Sequence, residues 1–76
     1  MNRYGRMKSI IEGLLFAAGD EGLEAGQIAD VLELDIRTVQ ELLREMKDDF
    51  DREERGIQIV EFAGGYQFTT RPEHAP

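Results

Sequence analysis

Few residues in this 76-residue chain are of types that make or break bonds, and their spacing argues against their doing so. His74 is the only histidine. It stands between Pro72 and Pro76 with no complementary group beside it, so neither a general base nor a metal ligand is assigned there. Ser9, Thr38, Thr69 and Thr70 supply hydroxyls, but a hydroxyl becomes a nucleophile only when an adjacent base takes its proton, and no histidine is placed to do so. The absence of cysteine removes disulfides, thiolate metal sites and thiol nucleophiles together, and nothing requires an oxidising compartment. The acidic run after Phe50 invites calcium: with Asp49 as first ligand, Asp51 and Glu53 follow at suitable spacing. The match fails, because Glu54 occupies the position that needs glycine and Val60 the position that needs a bidentate glutamate. Gly64-Gly65 reads as a turn and not a phosphate cradle, since no helix follows to supply a dipole. Carboxylate neighbours such as Glu53 and Glu54 read as solvated surface. The inventory is that of a nonenzymatic domain with no cofactor and no metal.

What remains is a scaffold with surfaces. Seventy-six residues make one small domain with a single modest core. A net charge of −7 and a pI near 4.5 oppose nonspecific binding to nucleic acid or anionic membranes and favour protein partners. Arg3, Arg6 and Lys8 precede an apolar stretch, but Glu12 interrupts it too early for an export signal or a membrane span.

The element that organises the rest is Asp35–Phe50, DIRTVQELLREMKDDF. At about 100° per residue, Ile36, Val39, Leu42, Leu43, Met46 and Phe50 share one face within roughly 120°. Asp35 is placed as N-cap, with Leu34 and Val39 at the positions of a hydrophobic staple. Glu41, Glu45, Asp48 and Asp49 cluster opposite, against Arg37, Arg44 and Lys47, so three basic residues meet four acidic ones. A helix of this charge is poorly suited to enter a groove lined by phosphates.

An earlier helix starts near Met7, with Ile10, Ile11, Leu14 and Ala18 on one face, Leu15 and Ala17 on its shoulders, and Tyr4 ahead of it. Gly13 permits close approach of another backbone. Phe16 falls nearly opposite the core face: helix bending or a third covering element buries it, or it marks a partner surface. Gly19-Asp20-Glu21-Gly22 is a stop and turn. A short helix over about Ala25–Leu32 follows, directing Ile28, Val31 and Leu32 to the core beside Ala29, with Glu24 a weak N-cap. Two helices joined by a tight turn and preceded by a supporting helix form a helix-turn-helix unit.

Asp51–Gly56 reads as a charged connector. Ile57–Phe62 and Tyr66–Thr70 read as a hairpin around the three-residue loop Ala63-Gly64-Gly65. Ile57 and Ile59 share one face, Val60 and Phe62 the other, which implies cover on both sides or a bulge. Between Ile57 and Thr70 the only charge is Glu61. The fold class is α+β, mainly α: a winged helix of three helices and a two-stranded wing over residues 1–70. Residues 71–76 read as the start of an interdomain linker, because their prolines disfavour regular structure.

The segments IIEGLLFAAGDEGL (Ile10–Leu23), QIADVLEL (Gln27–Leu34) and RGIQIVEFAGGYQFTTRPEHAP (Arg55–Pro76), in that order, resemble the N-terminal domain of the bacterial segregation and condensation protein B family. Glu24 departs from the family's more usual Ser or Thr cap. The resemblance implies the first of two winged-helix domains in a noncatalytic, homodimeric scaffold. Its implied partners are the kleisin subunit, segregation and condensation protein A, and through it the SMC ATPase of a condensin-like complex. The setting it implies is chromosome condensation and partition in the cell cycle, in a cytoplasmic, nucleoid-associated protein without direct nucleic-acid or membrane contact. It supplies no contact residues; surplus aromatic surface nominates Tyr4, Phe16, Phe62, Tyr66 and Phe68. The competing reading is a DNA-binding winged-helix transcriptional regulator gripping duplex through Arg37, Arg44 and Lys47.

Overall fold

The computed structural model describes residues 3–71. The expected three helices and hairpin are present: α1 (Arg3–Ala18), α2 (Ala25–Leu32), α3 (Ile36–Arg52), β2 (Ile57–Phe62) and β3 (Gly65–Thr70). A further strand, β1 (Leu23–Glu24), lies between α1 and α2 and was not anticipated. It pairs antiparallel with β3, Leu23 opposite Tyr66 and Glu24 opposite Gly65, so the wing is a three-stranded sheet in the order β1-β3-β2. Two residues are enough for this role because Gly22, at φ 66°, turns the chain out of the 3-10 turn Gly19–Glu21 directly alongside β3.

The core gathers on α3 as its periodicity requires: Val39, Leu42, Leu43, Met46 and Phe50 are all buried. Ile11 and Leu15 from α1, Ala25, Ile28 and Ala29 from α2, and Ile59 from β2 complete it. Asp35 caps α3 by accepting from the Arg37 N–H at 3.0 Å, and Leu34 packs against the core just before it. Glu24 occupies the N-cap of α2, where its own N–H donates to Gln27 Oε1 at 2.8 Å. That bond is half of a capping box, which offsets the weakness of glutamate at this position.

Several expectations need correction. Tyr4 lies within α1, not ahead of it. The buried face of α1 is centred on Ile11 and Leu15, leaving Ile10 exposed. Val31 and Ile36 are also exposed, because the small residues Ala25 and Ala29 rotate the buried stripe of α2 away from Val31 and Ile36 stands at the outer end of α3. Asp51 and Arg52 extend α3 beyond Phe50 instead of opening a connector. The hairpin loop has two residues, Ala63 and Gly64, at φ 51° and 83°, and the ladder from Ile57–Thr70 to Phe62–Gly65 runs without a bulge. Of the two ways to accommodate apolar residues on both faces of β2, neither is used in full. Ile59 is buried, Val60 is half-buried and Phe62 stays in solvent.

Candidate protein-interaction surface

Three of the five nominated aromatics stand out from the domain. Phe16 is 80% exposed, Phe62 69% and Tyr4 60%. Phe16 points away from the stripe of α1 that carries Ile11 and Leu15, so among the described residues no third element covers it. Phe62 ends β2 on the side of the sheet opposite Ile59, at the tip of the wing. Leaving large apolar groups in water opposes folding unless another surface covers them, and such residues gather at partner sites.

The other two aromatics are partly inside. Phe68, directly across the ladder from Ile59, stacks on Phe50 with ring centroids 5.8 Å apart. It therefore supports the core. Tyr66 pairs with Glu61 and lines an open groove of about 340 Å³ between α3 and the wing, together with Gln40, Arg44, Lys47 and Asp48. Burial raises the Tyr66 phenol above its ordinary value of 10.0, the Glu61 carboxylate adds to the rise, and Arg44 partly opposes it. The groove thus presents two cations and two carboxylates around a neutral phenol, a mixed surface with no net preference for a polyanion.

Two carboxylates on the acidic side of α3, Glu45 and Asp49, are engaged internally. Lys8 on α1 lies 3.6 Å from Glu45 and 3.5 Å from Asp49, and Arg52 lies 3.4 Å from Asp49. Arg55 reaches Glu12 at 3.7 Å while its guanidinium sits 4.0 Å above the Phe50 ring. These contacts lace α1 to α3 and to the turn that follows it. Exposed ion pairs of this kind contribute little individually, on the order of 0–1 kcal/mol. Their consequence is orientation: α1 is fixed with its Ile10 and Phe16 sides outward.

Sequence periodicity missed Ile10, Val31 and Ile36 as exposed apolar residues. The signal available was the alanine pair in α2, which belongs to the buried stripe and shifts its centre by about one residue. Arg71, the first residue of the expected linker, is bound to the domain. Its Nε donates to the Arg55 carbonyl at 2.6 Å and its Nη2 to Asp51 at 2.8 Å. The remaining residues of that linker, 72–76, with His74, lie outside the described residues. No group of three or more metal-ligating side chains occurs among the described residues, and no helix there is long and apolar enough to cross a membrane.

Comparison with known proteins follows the same outline. The family model described as segregation and condensation complex subunit ScpB matches residues 9–76. A segregation and condensation protein B from Brevibacillus brevis is 52% identical over 73 residues, which cover 96% of this chain and 38% of that protein. The chain spans about a third of the length of such curated relatives. Among solved structures, a dimer of the ScpB N-terminal domain complexed with a ScpA peptide superposes with a TM-score of 0.92 at 47% identity, covering 97% of this chain and 85% of that one. ScpB from Mycobacterium tuberculosis, 23% identical, shares the fold with a TM-score of 0.86 over 96% of this chain and 45% of that one.

Proposed function

Since the chain belongs to the segregation and condensation complex subunit ScpB family, we propose that it is a noncatalytic scaffold domain that pairs with a second copy of itself and holds a segment of the kleisin ScpA. Through that partner it joins the SMC ATPase in chromosome condensation and segregation, associated with the nucleoid. Residues 1–70 act as the first winged-helix domain and 71–76 begin the path to a second.

One observation carries this reading: the fit along nearly the whole chain to a domain that crystallised as a dimer with a ScpA peptide. The surfaces agree with it. Tyr4, Phe16 and Phe62 offer exposed aromatic area for polypeptide contacts, Tyr66 lines the groove beside α3, and Phe68 holds the wing against Phe50 from within. Aromatic side chains are the usual anchors of such contacts because they bury much apolar area for few rotatable bonds.

The test is light scattering of the chain from low to high micromolar concentration, followed by titration with a fluorescent ScpA-derived peptide. A dimer and saturable peptide binding are expected. A monomer that ignores the peptide but binds duplex DNA in a salt-sensitive way, lost on reversing Arg37, Arg44 and Lys47, would replace this reading with the regulator.

A further inference from the structure

Helix α1 is apolar nearly all round in its second half. From Ser9 to Ala18 the only charge is Glu12, which is held by Arg55. A helix of that kind is ordinarily covered on more than one side, yet only the side bearing Ile11 and Leu15 is buried. At about 100° per residue, Arg3, Arg6, Ile10, Gly13 and Ala17 fall within roughly 80° on a side turned well away from that core face. All five are exposed. Nothing lies within 4 Å of the place a Cβ on Gly13 would occupy, so the ridge has an open notch next to the exposed Ile10.

The charges along the same helix are polarised. Arg3, Arg6 and Lys8 occupy its first half, and Asp20 and Glu21 follow in the turn after its end. Lys8 is engaged with Glu45 and Asp49, which leaves Arg3 and Arg6 as the cations of the exposed ridge. Laid antiparallel on its own copy about a two-fold axis between Ile11 and Glu12, the ridge matches itself in one register. Ile10 falls opposite Gly13 of the second copy and Arg6 opposite Ala17, while Arg3 comes level with the 3-10 turn Gly19–Glu21 that carries Asp20 and Glu21 just past the helix end. Large residue meets notch, and basic end meets acidic end, twice by symmetry. Glycine and alanine at the crossing let helix axes come within about 8 Å.

We propose that the two copies pair through this face, α1 antiparallel to α1, with Ile10 seated over Gly13 of its partner and Arg3 and Arg6 facing Asp20 and Glu21. The assignment rests on the dimeric reading given above and names its surface. Phe16, about a third of a turn round the helix from Ala17, then remains free for a different polypeptide.

Charge exchange provides the test. The chain carrying R3E and R6E and the chain carrying D20R and E21R should each dimerise at least about tenfold more weakly than the original, because like charges meet at both ends. Mixed one to one, they should recover the original affinity as a heterodimer, since each end then pairs opposite charges again. These positions are exposed, and far-UV circular dichroism checks that both variants fold. G13L, which fills the notch with a better helix former, should weaken dimerisation similarly while the monomer stays folded. Sedimentation equilibrium reads all four samples. A dimer indifferent to the reversals, or weakened variants that do not recover on mixing, overturns the α1 assignment and leaves the dimeric reading intact. Reversals that abolish ScpA-peptide binding with dimerisation unchanged overturn it in favour of the kleisin as occupant. If the original chain is monomeric throughout, both fall.

Discussion

The Phe50 ring stacks on Phe68 with 5.8 Å between centroids and 23° between planes, which joins the end of α3 to the middle strand of the sheet. The Arg55 guanidinium lies 4.0 Å from the centroid of the Phe50 ring. One side chain thus connects the helical core, the wing and the turn between them. Phe50→Ala should cost about 3–5 kcal/mol. In a chain this small that is a large share of the total stability, and urea unfolding should show most of the folded population lost. Arg55→Ala removes the cation over the ring and two exposed ion pairs, and should cost only about 1 kcal/mol. A loss equal to that of Phe50→Ala would show that the ring is held chiefly by its cation.

Gly22 is required by its neighbours as well as by its backbone angle. A Cβ there would lie 2.6 Å from the Tyr66 carbonyl oxygen and 3.2 Å from the Gln67 Cβ, at φ 66°. The obstacle includes backbone, so relief means moving β1 off β3. Gly22→Ala should destabilise by more than the roughly 1–3 kcal/mol of positive-φ strain alone, and should speed amide exchange at Leu23. Ala63 is the opposite case, an L-residue at φ 51° in a two-residue turn with Gly64 at φ 83°. Turns with both central residues at positive φ favour Asn-Gly. Ala63→Asn should raise stability by about 0.5–1 kcal/mol, read as a higher urea midpoint at unchanged slope.

Tyr66 gives the domain an alkaline dependence. Burial and Glu61 raise its phenol above 10.0 despite Arg44, so the folded state holds the proton more tightly than the unfolded one. Stabilisation from this group is therefore fully present below pH 10.0 and is lost as pH rises through the raised value. Tyr66→Phe should flatten that part of the pH–stability curve while changing little at neutral pH. A curve for Tyr66→Phe that falls as steeply as the original above pH 10 would place the dependence on another group.

The parts of this fold that were legible in the chain are those where one local signal acts alone. Asp35 before a clean 3.6-residue stripe fixed the start and buried face of α3, and the glycines after Phe62 marked the hairpin. Helix ends were harder. Both α2 and α3 close through a left-handed glutamate, Glu33 at φ 56° and Glu54 at φ 53°, where the recognisable signal is glycine. The bonds from Leu34 N–H to the Ala29 carbonyl and from Arg55 N–H to the Phe50 carbonyl that accompany them are the local 6→1 bonds of a Schellman motif, which without a glycine in the left-handed place leave no compositional trace. Strand β1 is two residues long and exists because Gly22 lets it reach β3, a long-range fact without local periodicity. On the surface, Phe16 was identifiable because it breaks its own helix's pattern; Ile10, Val31 and Ile36 were not, because each fits a plausible stripe that packing then rotated.

Arg71 shows how a residue that looks like linker can close a domain. Its backbone N–H donates to the Gly56 carbonyl at 3.2 Å, continuing the hairpin by one residue. Its side chain, largely buried, donates to the Arg55 carbonyl at 2.6 Å and to Asp51 at 2.8 Å. One guanidinium thus ties the strand leaving the sheet to the end of α3 and to the turn before β2. Arg71→Ala would leave the Arg55 carbonyl without this donor, and the usual cost of such a loss is about 1–3 kcal/mol. Arg71→Lys keeps the charge but not the planar fork that serves both acceptors, so it should recover less than half of the loss. The measurement is urea unfolding of the two variants with amide exchange at Gln58 and Thr69, the hydrogen-bonded pair next to the Arg71–Gly56 bond, where fraying of the hairpin base would appear first. If Arg71→Lys matched the original in both, charge near Asp51 would be the whole contribution and the bond to the Arg55 carbonyl would count for nothing. If Arg71→Ala changed neither, the domain would close at Thr70 and the residues beyond would be free to serve as linker.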